Sequence, residues 1–107
     1  VIERKANLDE IAGNFTTDRR RFEAEFIRAK AAGVKVFLLI ENASWADILT
    51  GNYRSGLKPN AFAAALLSWQ AKYNLTVMFS RQEDSARIIA GTLYYWLRAR
   101  LEGGAVA

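Results

Sequence analysis

The sequence predicts an α/β domain, and three observations carry that expectation. The runs 34–41 and 75–79 are almost continuously apolar, as strands buried on both faces of a parallel sheet are. The intervening segments repeat their apolar residues every three or four positions, the spacing of helices. Strands and helices alternate along the chain, the order that crossover connections produce. A chain of 107 residues is long enough for one domain with one core.

The elements follow in order. Val1 and Ile2 are β-branched and open a first strand that continues into Glu3, Arg4 and Lys5. A strand alternates its side chains, so Glu3 and Lys5 share one face and Arg4 takes the other. Residues 8–15 form a short helix or turn, punctuated by Gly13-Asn14. Thr16-Thr17 cap a second helix to about Ala32, with Asp18 in its first turn, where the dipole favours an anion. Phe22, Phe26 and Ala29 form its core stripe, and Gly33 stops it. The strand 34–41 is central and buried, and ends on Glu41. Ser44 caps a short helix, with Asp47 three positions on, ending near Gly51. Residues 52–59 are a polar surface loop. A third long helix covers 60–73 and closes at Asn74. The strand 75–79 is again buried. Ser80 and Glu83 form a capping box for a last helix to about Leu101, with the stripe Ala86, Ile89, Ala90, Leu93 and Leu97. Gly103-Gly104 end it.

Composition narrows the chemistry. There is no cysteine and no histidine. Disulfides, thiolate zinc sites and the histidine-dependent triads are therefore excluded. Any catalysis uses carboxylates, lysine, hydroxyls or a metal held by oxygen. No apolar run has the length of a membrane span, and a net charge of +4 suits an anionic partner. The only methionine is Met78 and the chain opens inside a predicted strand, so native sequence is expected before Val1.

Ligands of α/β folds bind beyond the carboxyl ends of the strands, where Lys5 and Glu41 both lie. Glu3, Asp9, Glu41 and Asp47 are the acids that can serve a cation site there. A hard cation needs one or two carboxylates, a carbonyl and waters. Lys5 is placed to orient a water or steady developing charge. Each residue also has a plainer reading. Glu3 and Lys5 can be a surface ion pair, Asp9 a helix cap or a holder of Arg4 or Lys5, Glu41 a polar strand end. Arg19, Arg20 and Arg21 sit in a first turn, against the helix dipole, which points either to a solvated face or to a phosphate backbone. Tyr53-Arg54 and Trp45 can touch nucleic acid or pack. Tyr94, Tyr95 and Trp96 cannot all face one core from one helix, so part of that trio forms a partner surface.

Glu3-Arg4-Lys5 followed by Asp9 resembles the ERKxxxD signature of the XPF-type structure-specific endonuclease domain, a branch of the PD-(D/E)XK nuclease superfamily. The segment DEIAGNF, an arginine-bearing helix and a buried strand ending in Ile40-Glu41 follow in that family's order. The resemblance implies a restriction-endonuclease-like three-layer core, a central sheet flanked by helices, over residues 1–102, with 103–107 as a tail. It implies Mg2+- or Mn2+-dependent cleavage of DNA near branches, flaps or junctions. It assigns Glu3, Lys5, Arg4 and Asp9 to catalysis, with Glu3 as the metal ligand; Asp9, a short turn beyond, can join it at the metal through water. Arg19, Arg20, Arg21 and Arg54 fall to DNA binding. The family's helix arginine matches Arg19 or Arg21, and Glu23 or Glu25 stands where a glutamine is usual. Dimerisation within the family makes Tyr94, Tyr95 and Trp96 a homodimer surface. The family's upstream Gly-Asp pair is not in this sequence, and the compact single-domain form resembles bacterial or phage relatives. The protein is expected in the cytoplasm of such a source, or in the nucleus of a eukaryote, without a membrane anchor. A catalytically inactive DNA-binding or dimerisation module of the same fold is the alternative.

Overall fold

A computed structural model describes residues 1–106, with side chains described for 1–103. The elements are β1 (Ile2–Lys5), α1 (Leu8–Phe15), α2 (Arg19–Ala31), β2 (Phe37–Glu41), α3 (Trp45–Thr50), α4 (Pro59–Tyr73), β3 (Thr76–Ser80), a single 3-10 turn (Gln82–Asp84) and α5 (Ser85–Val106). The strands form one parallel sheet in the order β1-β2-β3. Ile2 pairs with Phe37 and Lys5 with Ile40, and on the other side Phe37 pairs with Thr76 and Glu41 with Ser80.

Alternation along β2 divides the molecule into layers. Leu38 and Ile40 join Leu8, Ile11, Phe15, Phe22, Phe26, Phe62, Leu66 and Trp69 in the core, so α1, α2 and α4 cover that face. Glu41 bonds Ser85, and Met78 meets Thr92, so α5 lies on the other face. The result is a central sheet flanked by helices, as the sequence predicts. An aromatic cluster joins the helices of the thicker layer. Trp69 packs against Phe15, Phe22, Phe26 and Tyr73 with ring centroids 4.7–5.7 Å apart, a spacing at which edge and tilted contacts are attractive.

Several boundaries depart from the sequence reading, each for a local reason. The central strand begins at Phe37, because the Val34 N–H bonds back to Ala29 and completes the end of α2. Strand β3 is half-buried along its length instead of buried, because it is a sheet edge. Ser80 is its last residue and not a helix cap; its hydroxyl meets that of Ser85. Thr16 and Thr17 do not cap α2. Their hydroxyls bond the carbonyls of Ala12 and Gly13 and finish α1, while Asp18 is the residue preceding α2. Ser44 caps α3 as expected, and Gly51, at φ 74°, ends it. Asn74 closes α4 in the left-handed conformation at φ 52°. Helix α5 continues through Gly103 and Gly104 to Val106; glycine costs a helix about 1 kcal/mol relative to alanine and need not stop it.

The largest departure is the stripe on α5. Ser85, Ile89, Thr92 and Trp96 turn toward the sheet, and of the expected stripe only Ile89 is among them. Leu93 and Leu97 face outward with Tyr94, Tyr95 and Leu101. The sheet is three strands wide, and α5 touches it through small or polar side chains such as Ser85 and Thr92. Its more apolar face is left to solvent.

Candidate active site

Strand β1 delivers charged side chains to both faces of the sheet. On the α1–α2 side, Lys5 is only 8 % exposed. Its Nζ lies 3.4 Å from Glu3 and 3.9 Å from Glu10, and 5.0 Å above the Phe22 ring. A buried ammonium requires such partners, since its desolvation is otherwise uncompensated. The turn into α1 brings Glu10 there. Asn7 caps α1 by accepting the Glu10 N–H, and the Glu10 carboxylate accepts the Ala6 N–H. This is a capping box displaced by one residue. Sequence reading missed Glu10, although Asn7-x-x-Glu10 was the signal that could have found it.

Arg4 emerges on the opposite side, where its guanidinium donates to Glu41 at 2.9 Å. Glu41 also accepts the Ser85 hydroxyl. Glu41 is therefore separated from Glu3 and Lys5 by the sheet and does not share their site, although all three lie toward the carboxyl ends of strands. The hydrogen bond from Arg4, then that from Ser85, holds the Glu41 carboxyl below its ordinary value of 4.5, against the opposing effect of burial. The same bond raises Arg4. A depressed carboxylate contributes stability that is present above its unfolded pKa and lost as pH falls through the folded one. Acid unfolding should therefore steepen below pH 4.5 in the wild type and be flatter in Glu41→Gln. Identical acid limbs in circular dichroism would remove Glu41 from the account.

Asp9 holds neither Arg4 nor Lys5, nor does it cap α1, whose cap is Asn7. Its Oδ1 accepts the N–H groups of Arg54 and Ser55, at 2.9 and 2.8 Å. Asp9 thus ties the 52–58 loop to α1 and fixes the backbone from which the exposed Arg54 projects. Tyr53 donates to the Leu57 carbonyl and packs edge-on to Phe62, and Trp45 packs edge-on to Phe79. Both aromatics serve packing.

The arginines of α2 have distinct surroundings. Arg19 lies 5.7 Å over Trp69, Arg21 pairs with Asp18 at 2.8 Å, and all three guanidiniums are exposed. Glu23 accepts the Tyr73 hydroxyl and lies near Lys72. Glu25 instead lines a small pocket together with Glu3, so it is the α2 acid beside the Glu3–Lys5 pair. Tyr94 and Tyr95 are exposed, 58 % and 64 %. Trp96 differs: it is half-buried and turned toward the body of the domain, with Arg100 over its ring.

The ERCC4 domain family matches residues 1–92. The chain belongs to this family. The match runs from the start of the chain through the first third of α5 and includes the whole Glu3-Arg4-Lys5-Asp9 set. No curated protein and no solved structure matches. The ERCC4 chain is thus an XPF-type nuclease domain of a structure-specific nuclease family, and its parallel sheet between helices is compatible with the restriction-endonuclease-like fold.

The family is generally metal-dependent, so the donor set matters. Glu3 keeps 41 % of its side chain accessible, and with the neighbouring carbonyls it offers oxygen ligands only, the chemistry that magnesium and manganese select. Among the described residues no three acids converge as a preformed metal cage. A hard cation that retains several waters does not require one.

Proposed function

We propose that this ERCC4 domain is a Mg2+- or Mn2+-dependent endonuclease that cleaves DNA phosphodiester bonds near branches, flaps or junctions. The observation that carries the reading is Lys5: a nearly buried ammonium at the carboxyl end of a strand, flanked by two carboxylates, in a chain of a nuclease family. Glu3 would hold the metal with its carboxylate, and Asp9, a short turn beyond and with Oδ1 already engaged by the 52–58 loop, would reach it through water. When bound, such an ion lowers the pKa of its water and offsets charge on the phosphoryl oxygen. Lys5 steadies the charge that develops on the scissile phosphate, with Glu3 and Phe22 fixing its position. Arg4, pinned by Glu41, sets the end of β1 against β2. Asp9 positions the loop that presents Arg54.

The test is cleavage of a flap or junction substrate beside the matching linear duplex, with magnesium and with chelator. Metal-dependent incision of the branched substrate is expected. No incision by folded protein with either ion would reject the reading.

Arg19, Arg20, Arg21 and Arg54 serve as phosphate contacts. Each that touches duplex DNA should contribute about 0.9 to the slope of log affinity against log salt. Replacing Arg19, Arg20 and Arg21 together by alanine should flatten the slope, measured by fluorescence anisotropy. An unchanged slope would remove the row from the interface.

The protein is further proposed to act as a homodimer through the outward face of α5. Leu97 is 54 % exposed beside Tyr94, and such contiguous apolar surface marks an interaction site. Tyr94→Glu with Leu97→Glu should convert a sedimenting dimer into a folded monomer; a wild type that sediments as a monomer would contradict this assignment. The same face favours a second reading, a catalytically silent DNA-binding or dimerisation module, which the incision assay separates. On the leading reading the nuclease domain is 1–102, the remainder is its tail, and the site of action is bacterial or phage-infected cytoplasm, or the nucleus of a eukaryote. No helix among the described residues is long and apolar enough to cross a membrane.

A further inference from the structure

A second cationic site lies at the other end of the sheet. The end of α2, the end of α4 and the late turns of α5 surround a cavity of about 160 Å³. Lys30, Lys35 and Arg100 line it, with Tyr73, Asn74 and Trp96, and among the described residues no carboxylate does. None of the three cations makes an ion pair among the described residues. Lys35 precedes β2, whereas Ile40 of β2 is the residue paired with Lys5. At about 3.3 Å per residue, the cavity lies roughly 16 Å along the strand from the Lys5 site.

The plain role of two of these lysines is visible. Lys30 Nζ donates to the Lys72 carbonyl at 2.6 Å, and Lys35 Nζ to the Asn74 carbonyl at 2.7 Å, so both cap the end of α4. Capping does not exhaust them. An ammonium has three donors and a guanidinium five. The charge does not balance either. Two helix C-termini meet here, and each carries about half a negative charge. Against three full positive charges, that leaves a surplus of roughly two. Burial pulls the Lys35 ammonium below its ordinary value of 10.5, the sign of a cation without a compensating acid. Glu23, the acid of the adjoining α2–α4 contact, is engaged by the Tyr73 hydroxyl and Lys72.

We propose that this cavity binds a phosphate oxyanion, held by Lys30, Lys35 and Arg100. Three convergent cations suit a small anion with several acceptor oxygens, and Arg100 supplies the planar fork that phosphate accepts. The phosphate can belong to a small molecule or to a nucleic-acid backbone. This site is independent of the cleavage reaction and of the residues assigned to it.

The test follows the backbone amides of Gly33, Val34, Lys35 and Asn74 by NMR during titration with inorganic phosphate at constant ionic strength, with chloride as control. Saturable shifts at these amides are expected with phosphate and not with chloride. The variant Arg100→Glu, at a solvent-accessible residue on the rim of the cavity, should weaken binding at least about tenfold, as loss of a charge-assisted bond does. Lys35→Met should do the same, and the exposed Arg100 variant separates binding from any loss of the α4 cap. A parallel titration uses a short oligothymidylate. Shifts of the same amides at much lower concentration than phosphate identify a nucleic-acid phosphate; shifts with inorganic phosphate alone identify a small anion. Linear, unsaturating shifts, or equal shifts with chloride, would overturn the site, as would unchanged binding in Arg100→Glu.

Discussion

Replacing Lys5 by methionine is expected to lower incision of branched DNA by about 10²- to 10⁴-fold, the range over which a positioned proton-handling or charge-stabilising group acts. Methionine keeps an apolar stem against Phe22 and removes only the ammonium, whose Nζ sits 5.0 Å above that ring. Glu3→Gln should fall comparably, because a neutral amide is a weak ligand for a hard cation. Glu10→Gln is the decisive companion. It removes one of the two charges beside Lys5, yet its amide oxygen can still accept the Ala6 N–H. A lysine acting on the phosphodiester makes Lys5→Met slow and leaves Glu10→Gln close to wild type. Equal losses in both, in single-turnover rates at saturating magnesium, would mean that Lys5 is only a structural cation. Lys5→Arg should not restore the rate, since a guanidinium delivers its charge in a different geometry.

The largest effect on stability is expected at Trp69. It is 1 % exposed and touches four aromatic rings drawn from α1, α2 and α4. Trp69→Ala should cost about 3–5 kcal/mol, as deletion of a large buried aromatic does. That is a large part of the roughly 5–15 kcal/mol that holds a domain together. Urea unfolding should show a lower midpoint with an unchanged slope. Trp69→Phe should be milder, filling most of the cavity. The substitution also reaches the arginine row proposed to contact phosphate, because Arg19 rests over the Trp69 ring. A midpoint within experimental error of wild type would show that the cluster repacks without its central ring.

How much of this was legible in the sequence depended on the range of the signal. The apolar strands and the alternating order gave the α/β layout, because burial on both faces and helical spacing are local patterns. The faces of β1 were legible too, since strand alternation alone puts Glu3 and Lys5 opposite Arg4. What covers a face was not. The stripe Leu93–Leu97 on α5 looks like core in any helical projection, yet the sheet beneath it is too narrow to use it. Glu41 and Lys5 both end strands, but pairing register and alternation put them on opposite sides. Asp9 finds its partners in Arg54 and Ser55, some forty-five residues away, a distance that no local motif encodes. Glu10 was hidden by the plain look of a capping residue, although that cap is what brings it to Lys5.

The central place of β2 also governs how the chain can assemble. Ile2 meets Phe37, and Phe37 meets Thr76, across spans of about 35 and 39 residues. Closing chain segments of these lengths differs in entropy by only roughly 0.1 kcal/mol. Neither edge strand therefore has a head start, and among the described residues no hairpin seeds the sheet. Parallel pairing of this kind is rewarded only after a long segment has been ordered, which makes folding slow for a domain of this size. The helices between the strands must supply the early organisation, and the rings of α1, α2 and α4 are the contacts that can do so. The search for β2 is thus the step on which the ordering of both sheet edges waits, including the edge that carries Glu3 and Lys5.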